Sequence, residues 1–227
     1  MISVLTLTYK RPHLLEEAIQ SFLSQDDITD CEMVIINDNP EVDYIYDHPQ
    51  VRIVNHKVRF SSISAKIEWG YKQCKYPFIY RLDDDDLLMP YALSQTAMDI
   101  LSYPGYDVYT SRGMYFFSEN SYMGENGSVN NGNCYSKAYL DKIVFPNTSI
   151  GEDYDITFNH SAHIYKTPLP HTMIYRWGMG TFHVSGLGIQ NNETILAHAD
   201  VVLDDTKGDV ILNPHFKTEY YGQINPQ

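Results

Sequence analysis

Phe78-Ile79-Tyr80-Arg81-Leu82-Asp83-Asp84-Asp85-Asp86-Leu87-Leu88-Met89-Pro90 decides how this chain is read. A β-rich apolar run over residues 76–82 stops at four adjacent carboxylates. In open α/β sheets, ligands bind beyond the carboxyl ends of the strands. Neighbouring carboxylates repel one another unless a cation holds them. Hard divalent cations such as Mg²⁺ or Mn²⁺ are bound through one or two carboxylates together with substrate phosphates. The competing reading is a solvated acidic turn ahead of a helix that begins near Pro90.

Upstream of this run, strand and helix signals alternate. Residues 2–8 are β-rich. Pro12 sits where a helix can start, and Leu14, Leu15, Ala18, Ile19, Phe22 and Leu23 follow at helical spacing. Residues 33–36 read as a buried strand ending in the turn cluster 37–40, and 51–54 as another strand. Residues 61–74 read as a helix with Ile63, Ile67 and Tyr71 on one side. This repetition predicts an α/β fold: a mostly parallel sheet flanked by helices. Downstream, strands are expected at 107–109 and 114–117, short helices at 136–143 and 152–162, and broken strand signals over 164–176. The Asn-, Gly- and Ser-rich stretch 119–133 and the glycine-bearing stretch 178–188 are expected to be loops that can close over a ligand. An apolar run, 201–203, opens the polar last segment.

The 227 residues suffice for one sizeable core. We expect one domain over 1–198, with a donor half (1–105) and a smaller acceptor-side half (106–198), and a C-terminal extension over 199–227. The start of the sequence carries no signal-peptide pattern, and no apolar stretch is long enough to span a membrane. Cys31, Cys74 and Cys134 are odd in number and far apart, which fits a reducing compartment. The expected location is therefore cytoplasmic. A net charge of −13 disfavours nucleic acid as a partner while leaving room for a small anionic ligand held by a metal and local cations.

The opening, Ile2-Ser3-Val4-Leu5-Thr6-Leu7-Thr8-Tyr9-Lys10-Arg11-Pro12, resembles that of family 2 glycosyltransferases, which usually reads V-S-V-I-I-P-T-Y-N-R-P. Residues 14–25 look like that family's first helix and 33–39 like its second strand, with Asn37 in place of the first acid of an aspartate pair. Ser64-Ala65-Lys66 is similar to its Ala-Arg-Asn segment, with Lys for Arg. Residues 78–90 resemble its DxD segment, and 132–140 followed by Gly151-Glu152-Asp153-Tyr154-Asp155 resembles its acceptor-side half. The likeness runs over roughly residues 1–185 with the motifs in order. It implies a GT-A fold and transfer of a sugar from a nucleotide-diphosphate sugar donor to a glycan, lipid-linked or other hydroxyl acceptor.

The same resemblance implies roles. Thr8 and Tyr9 would lie beside the nucleotide base, and Asp38 would accept a hydrogen bond from it. Arg11 and Lys66 would contact nucleotide or phosphate, or else be ordinary surface cations. Asp83 and Asp85 would be the DxD acids, Asp83 reaching ribose or sugar and Asp85 the metal; Asp84 could share either task. Asp153, with Glu152 beside it, would be the general base of an inverting transfer; without that context the pair reads as acids opening a helix. His183 would complete a Mn²⁺ site, or be a loop histidine with no ligand. Arg176 could face the diphosphate. His160, His163, Trp69 and Trp177 read as structural. A nucleotidyltransferase is disfavoured because residues 8–12 lack glycine. A silent nucleotide-sugar-binding module is disfavoured by the retained acids, and transfer to a modified DNA base by the charge.

Overall fold

The computed structural model describes residues 1–27, 29–118, 120–126, 132–168, 171–177 and 206–224. Over residues 1–105 strands and helices alternate as expected. Strand β1 (Ile2–Thr8) is followed by α1 (Pro12–Leu23), β2 (Cys31–Asn37), β3 (Val42–Ile45), β4 (Val51–Asn55), α2 (Ile63–Tyr71), β5 (Phe78–Asp83), β6 (Leu87–Leu88) and α3 (Ala92–Ser102). Then come β7 (Val108–Thr110), β8 (Met114–Ser118), β9 (Ser121–Asn126), β10 (Cys134–Ser136), α4 (Lys137–Leu140), α5 (Glu152–Phe158), β11 (Ile164–Lys166), β12 (Met173–Trp177), β13 (Gly208–Ile211) and α6 (Tyr220–Ile224).

Seven strands build the main sheet in the order β11-β7-β10-β5-β1-β2-β4. Strands β5, β1, β2 and β4 run parallel, which brings Thr8 opposite Asn37 and Leu7 opposite Asp83 at one edge. Strand β10 runs antiparallel to both β5 and β7. A second sheet, β6-β12-β8-β9, packs beside the first.

Side-chain alternation divides the core. Ile2 and Val4 of β1, Met33 and Ile35 of β2, and Tyr80 and Leu82 of β5 pack with Leu15, Ala18, Ile19 and Phe22 of α1. Leu5, Leu7, Val34, Ile36 and Ile79 point the other way, onto Ile67 and Tyr71 of α2 and Tyr139 and Leu140 of α4. A strand covered on both faces is apolar at successive positions, which is why 33–36 is an unbroken apolar run. Each fully buried Leu or Ile here contributes about 1.5–3 kcal/mol.

Three expectations need correction. Residues 121–126 of the supposed loop 119–133 form β9, antiparallel to β8, with Tyr122 packed on Phe117. As a strand at the sheet edge it pairs on one side only, so its Asn, Gly and Ser composition is tolerated. The helix expected over 152–162 ends at Phe158, and Ser161 takes a positive φ of 56° beyond it. Strands β3, β6 and β13 and helix α6 had no counterpart in the sequence reading. Strand β13 pairs parallel with β3, while Leu212 enters the first core and Tyr220 and Ile224 a third. The stretch 178–188, the apolar run 201–203 and the boundary at 198/199 lie outside the described residues. Among the described residues, no helix is long and apolar enough to cross a membrane.

Candidate active site

The carboxyl ends of β1, β2 and β5 lie side by side. Lys66, buried on α2, spans two of them: its Nζ donates to the Thr8 carbonyl at 2.7 Å and to Asp38 Oδ1 at 2.5 Å. Asp38 Oδ2 also accepts from the Phe60 amide at 3.0 Å. Lys66 is therefore a strut that fixes Asp38 against the end of β1. Burial lowers its pKa, and the Asp38 charge opposes that shift. Tyr9 lies on the rim with the Arg59 guanidinium 3.8 Å above its ring.

Among the described residues, Asp83, Asp85 and Asp86 are the acids that converge: each offers a carboxylate oxygen, all within 4.8 Å of one another. An all-oxygen, all-anionic donor set fits a hard divalent cation. Asp84, fully buried, turns away from this trio toward Arg11, which grips both of its oxygens and reaches Asp85 Oδ2 at 2.9 Å. Arg81, also buried, donates to Asp83 Oδ1 at 2.6 Å and to the Leu5 carbonyl at 3.2 Å. Asp86 Oδ1 accepts from the Arg176 amide at 3.1 Å. Three arginines thus restrain four aspartates from behind.

Glu152 and Asp153 arrive by a pinned loop. The Ile63 amide donates to Ser149 Oγ at 3.0 Å and the Ser64 amide to the Thr148 carbonyl at 3.1 Å, tying residues 148–149 to the start of α2. Gly151 then takes φ 67°, a left-handed turn suited to glycine, and α5 begins at Glu152. Asp153 is partly buried, and its Oδ1 has no hydrogen-bond partner among the described residues. Burial, then repulsion from Glu152 and Asp83, raises its pKa well above the ordinary carboxylate value, while Arg81 opposes the rise. Glu152 is shifted the same way, by burial first and Asp83 next.

Burial pushes Asp84 up to about 6 from 3.8, and burial with repulsion from Asp85 and Asp83 raises Asp86 as well. A raised folded-state pKa means that the folded protein holds a proton the unfolded chain has released. The associated stability is complete below about pH 4 and declines as pH rises through 6. For Asp84 alone this amounts to about 3 kcal/mol. Asp86, Glu152 and Asp153 add to the decline in the same direction. We expect the urea midpoint of metal-free protein to fall between about pH 4 and pH 6, and millimolar Mn²⁺ to flatten that fall. A midpoint that rises steadily over this range without metal would contradict the electrostatics.

Several sequence-derived assignments change here. Arg176 does not face a diphosphate: its guanidinium is wholly buried against Glu17. Histidine 183 lies outside the described residues. His160 pairs with Asp155 at 3.1 Å, His163 stacks on Tyr106, and Trp69 packs on His56 and Phe60. Sequence reasoning missed Asp86 as a member of the carboxylate trio, and Arg81 and Glu17 altogether. Glu17 had a usable signal, as a charge among Leu14, Leu15 and Ala18 on the apolar face of a helix.

Comparison with known proteins agrees with the fold. The chain superposes on residues 1–349 of S. aureus TarS in complex with UDP-GlcNAc with a TM-score of 0.65 at 18% identity, covering 79% of this chain and 59% of that one. TarS 1–349 in complex with UDP gives 0.62 at 17% identity, with 79% and 61% covered. Mannosyltransferase PcManGT from Pyrobaculum calidifontis, in complex with GDP-Man and Mn²⁺, gives 0.56 at 14% identity, with 77% and 56% covered. The chain thus spans about 60% of the length of these structures. No curated protein matches it in sequence. The family model described as glycosyl transferase family 2 matches residues 3–162, well over half of the chain and every acid discussed above. The chain belongs to glycosyl transferase family 2.

Proposed function

We propose that this protein transfers a sugar from a nucleotide-diphosphate donor to an acceptor hydroxyl, with inversion at the anomeric carbon. The observation that carries the reading is the pairing of two acidic groups around Arg81: the trio of Asp83, Asp85 and Asp86, and Asp153 on α5, whose Oδ1 has no partner among the described residues. One group suits a diphosphate-bound cation and the other a proton transfer. The mannosyltransferase structure in complex with GDP-Man and Mn²⁺ supports the donor and metal part of this reading by analogy.

Asp83, Asp85 and Asp86 would hold Mn²⁺ or Mg²⁺, which when bound offsets the charge developing on the leaving diphosphate. Tyr9, Arg59 and Asp38 line the rim where the nucleoside would lie. Asp153 takes the proton from the acceptor hydroxyl as its oxygen bonds to the anomeric carbon and the bond to the diphosphate oxygen breaks. A carboxylate whose pKa is raised is a better base for this step than an ordinary one. Burial, and after it the Glu152 charge, keeps that pKa high.

The test is thermal unfolding with UDP, GDP, dTDP or CDP, each with Mn²⁺ and with EDTA. A diphosphate at 100 times its dissociation constant stabilises the fold by about 2.7 kcal/mol. One diphosphate should do so only with metal present. If none stabilises under either condition, the proposal falls.

A further inference from the structure

One set of buried charges stands outside this mechanism yet touches it. Arg176 on β12 is sealed from solvent, and each part of it is engaged. Its amide holds Asp86 Oδ1 at 3.1 Å, and its Nε donates to the Asp85 carbonyl. Nη1 donates to Glu17 Oε2 and to the Tyr220 hydroxyl at 3.3 Å, and Nη2 reaches the Leu14 carbonyl at 3.5 Å. Glu17 Oε1 in turn accepts from the Lys217 amide at 2.8 Å and the Tyr220 hydroxyl at 3.1 Å.

We propose that Arg176, Glu17 and Tyr220 form a positioning latch that sets the affinity of the acidic turn for its divalent cation. The inference rests on the cation reading of Asp83, Asp85 and Asp86. A turn of four adjacent carboxylates splays by repulsion unless its backbone is held. Arg176 holds it at two points, a carbonyl and a side-chain oxygen. Glu17 cancels the guanidinium charge, so Arg176 orders the turn without acting as a resident cation among its acids. Tyr220 fixes Glu17 from the C-terminal segment. With the turn ordered on folding, cation binding loses less conformational entropy and is tighter. Groups that orient metal ligands from behind are worth about 10–100-fold in metal affinity.

The experiment is Mn²⁺ binding followed by electron paramagnetic resonance, which counts free ion without any donor or acceptor. It compares the unmodified chain with Tyr220→Phe and Glu17→Gln, well below each melting temperature. Leu140→Ala, on α4 in the opposite core, controls for lost stability alone. The expected result is Mn²⁺ binding weakened about tenfold in Glu17→Gln, and by less in Tyr220→Phe, which keeps the ring and loses one hydroxyl. Leu140→Ala should bind as the unmodified chain does. Equal affinity in all four proteins overturns the latch and leaves the cation site standing. An unmodified chain that binds no Mn²⁺ overturns both.

Discussion

Asp153→Asn is expected to lower the rate of nucleoside diphosphate release by about 10²–10⁴-fold, the usual contribution of a positioned general base. The substitution keeps side-chain volume and removes only the capacity to accept a proton. Among the described residues Asp153 Oδ1 makes no hydrogen bond, so none of theirs is broken there. Burial and Glu152 make the charged form costly, so the neutral amide should leave the melting temperature unchanged or slightly raised. Mn²⁺ affinity and the donor KM should hold, because the cation trio is untouched. Release from the donor in water, or into a supplied hydroxyl acceptor, measures the rate. An Asp153→Asn variant that turns over at the original rate would remove Asp153 from the mechanism.

Lys66→Met should cost about 3–5 kcal/mol of stability by leaving Asp38 charged and unpaired in a buried site. That is a large share of the 5–15 kcal/mol that typically separates folded from unfolded domains. The loss should be partly recovered in Lys66→Met with Asp38→Leu, since removing both charges is far less costly than removing one. Urea unfolding of the ligand-free proteins measures both. Were Lys66 instead a free phosphate-binding cation, the single variant would unfold like the unmodified chain and only its donor KM would rise.

Residues 1–105 were legible because their signals are local. Pro12 does open α1, and the apolar runs of β1 and β2 are strands covered on both faces. The stop at Asp83 does fall at the sheet edge beside Thr8 and Asn37. The rest depends on partners distant in sequence. Strand β9 is polar enough to pass for a loop and is a strand because β8 pairs with it. Strand β13 exists because β3 offers an edge 166 positions upstream, Val42 facing Gly208. Arg176 reads as a cation near a diphosphate until its neighbour Glu17 is known, and that neighbour lies on the first helix. Composition misled at Asp86 too. Within four identical residues, only the turn decides which carboxylates converge and which one, Asp84, is taken by Arg11.

The link between Glu17 and Tyr220 joins residues 203 positions apart, and that between Glu16 and the Asn213 amide residues 197 apart. Contacts this distant close last, because a long loop must be ordered before they return anything. Sheet and helices within residues 1–105 can assemble while the chain is still leaving the ribosome, from neighbours already synthesised. The support behind Asp85 and Asp86 must wait for Arg176, and its fixing through Glu17 for Tyr220. A nascent chain therefore carries its acidic residues long before it carries the clasp that orders them.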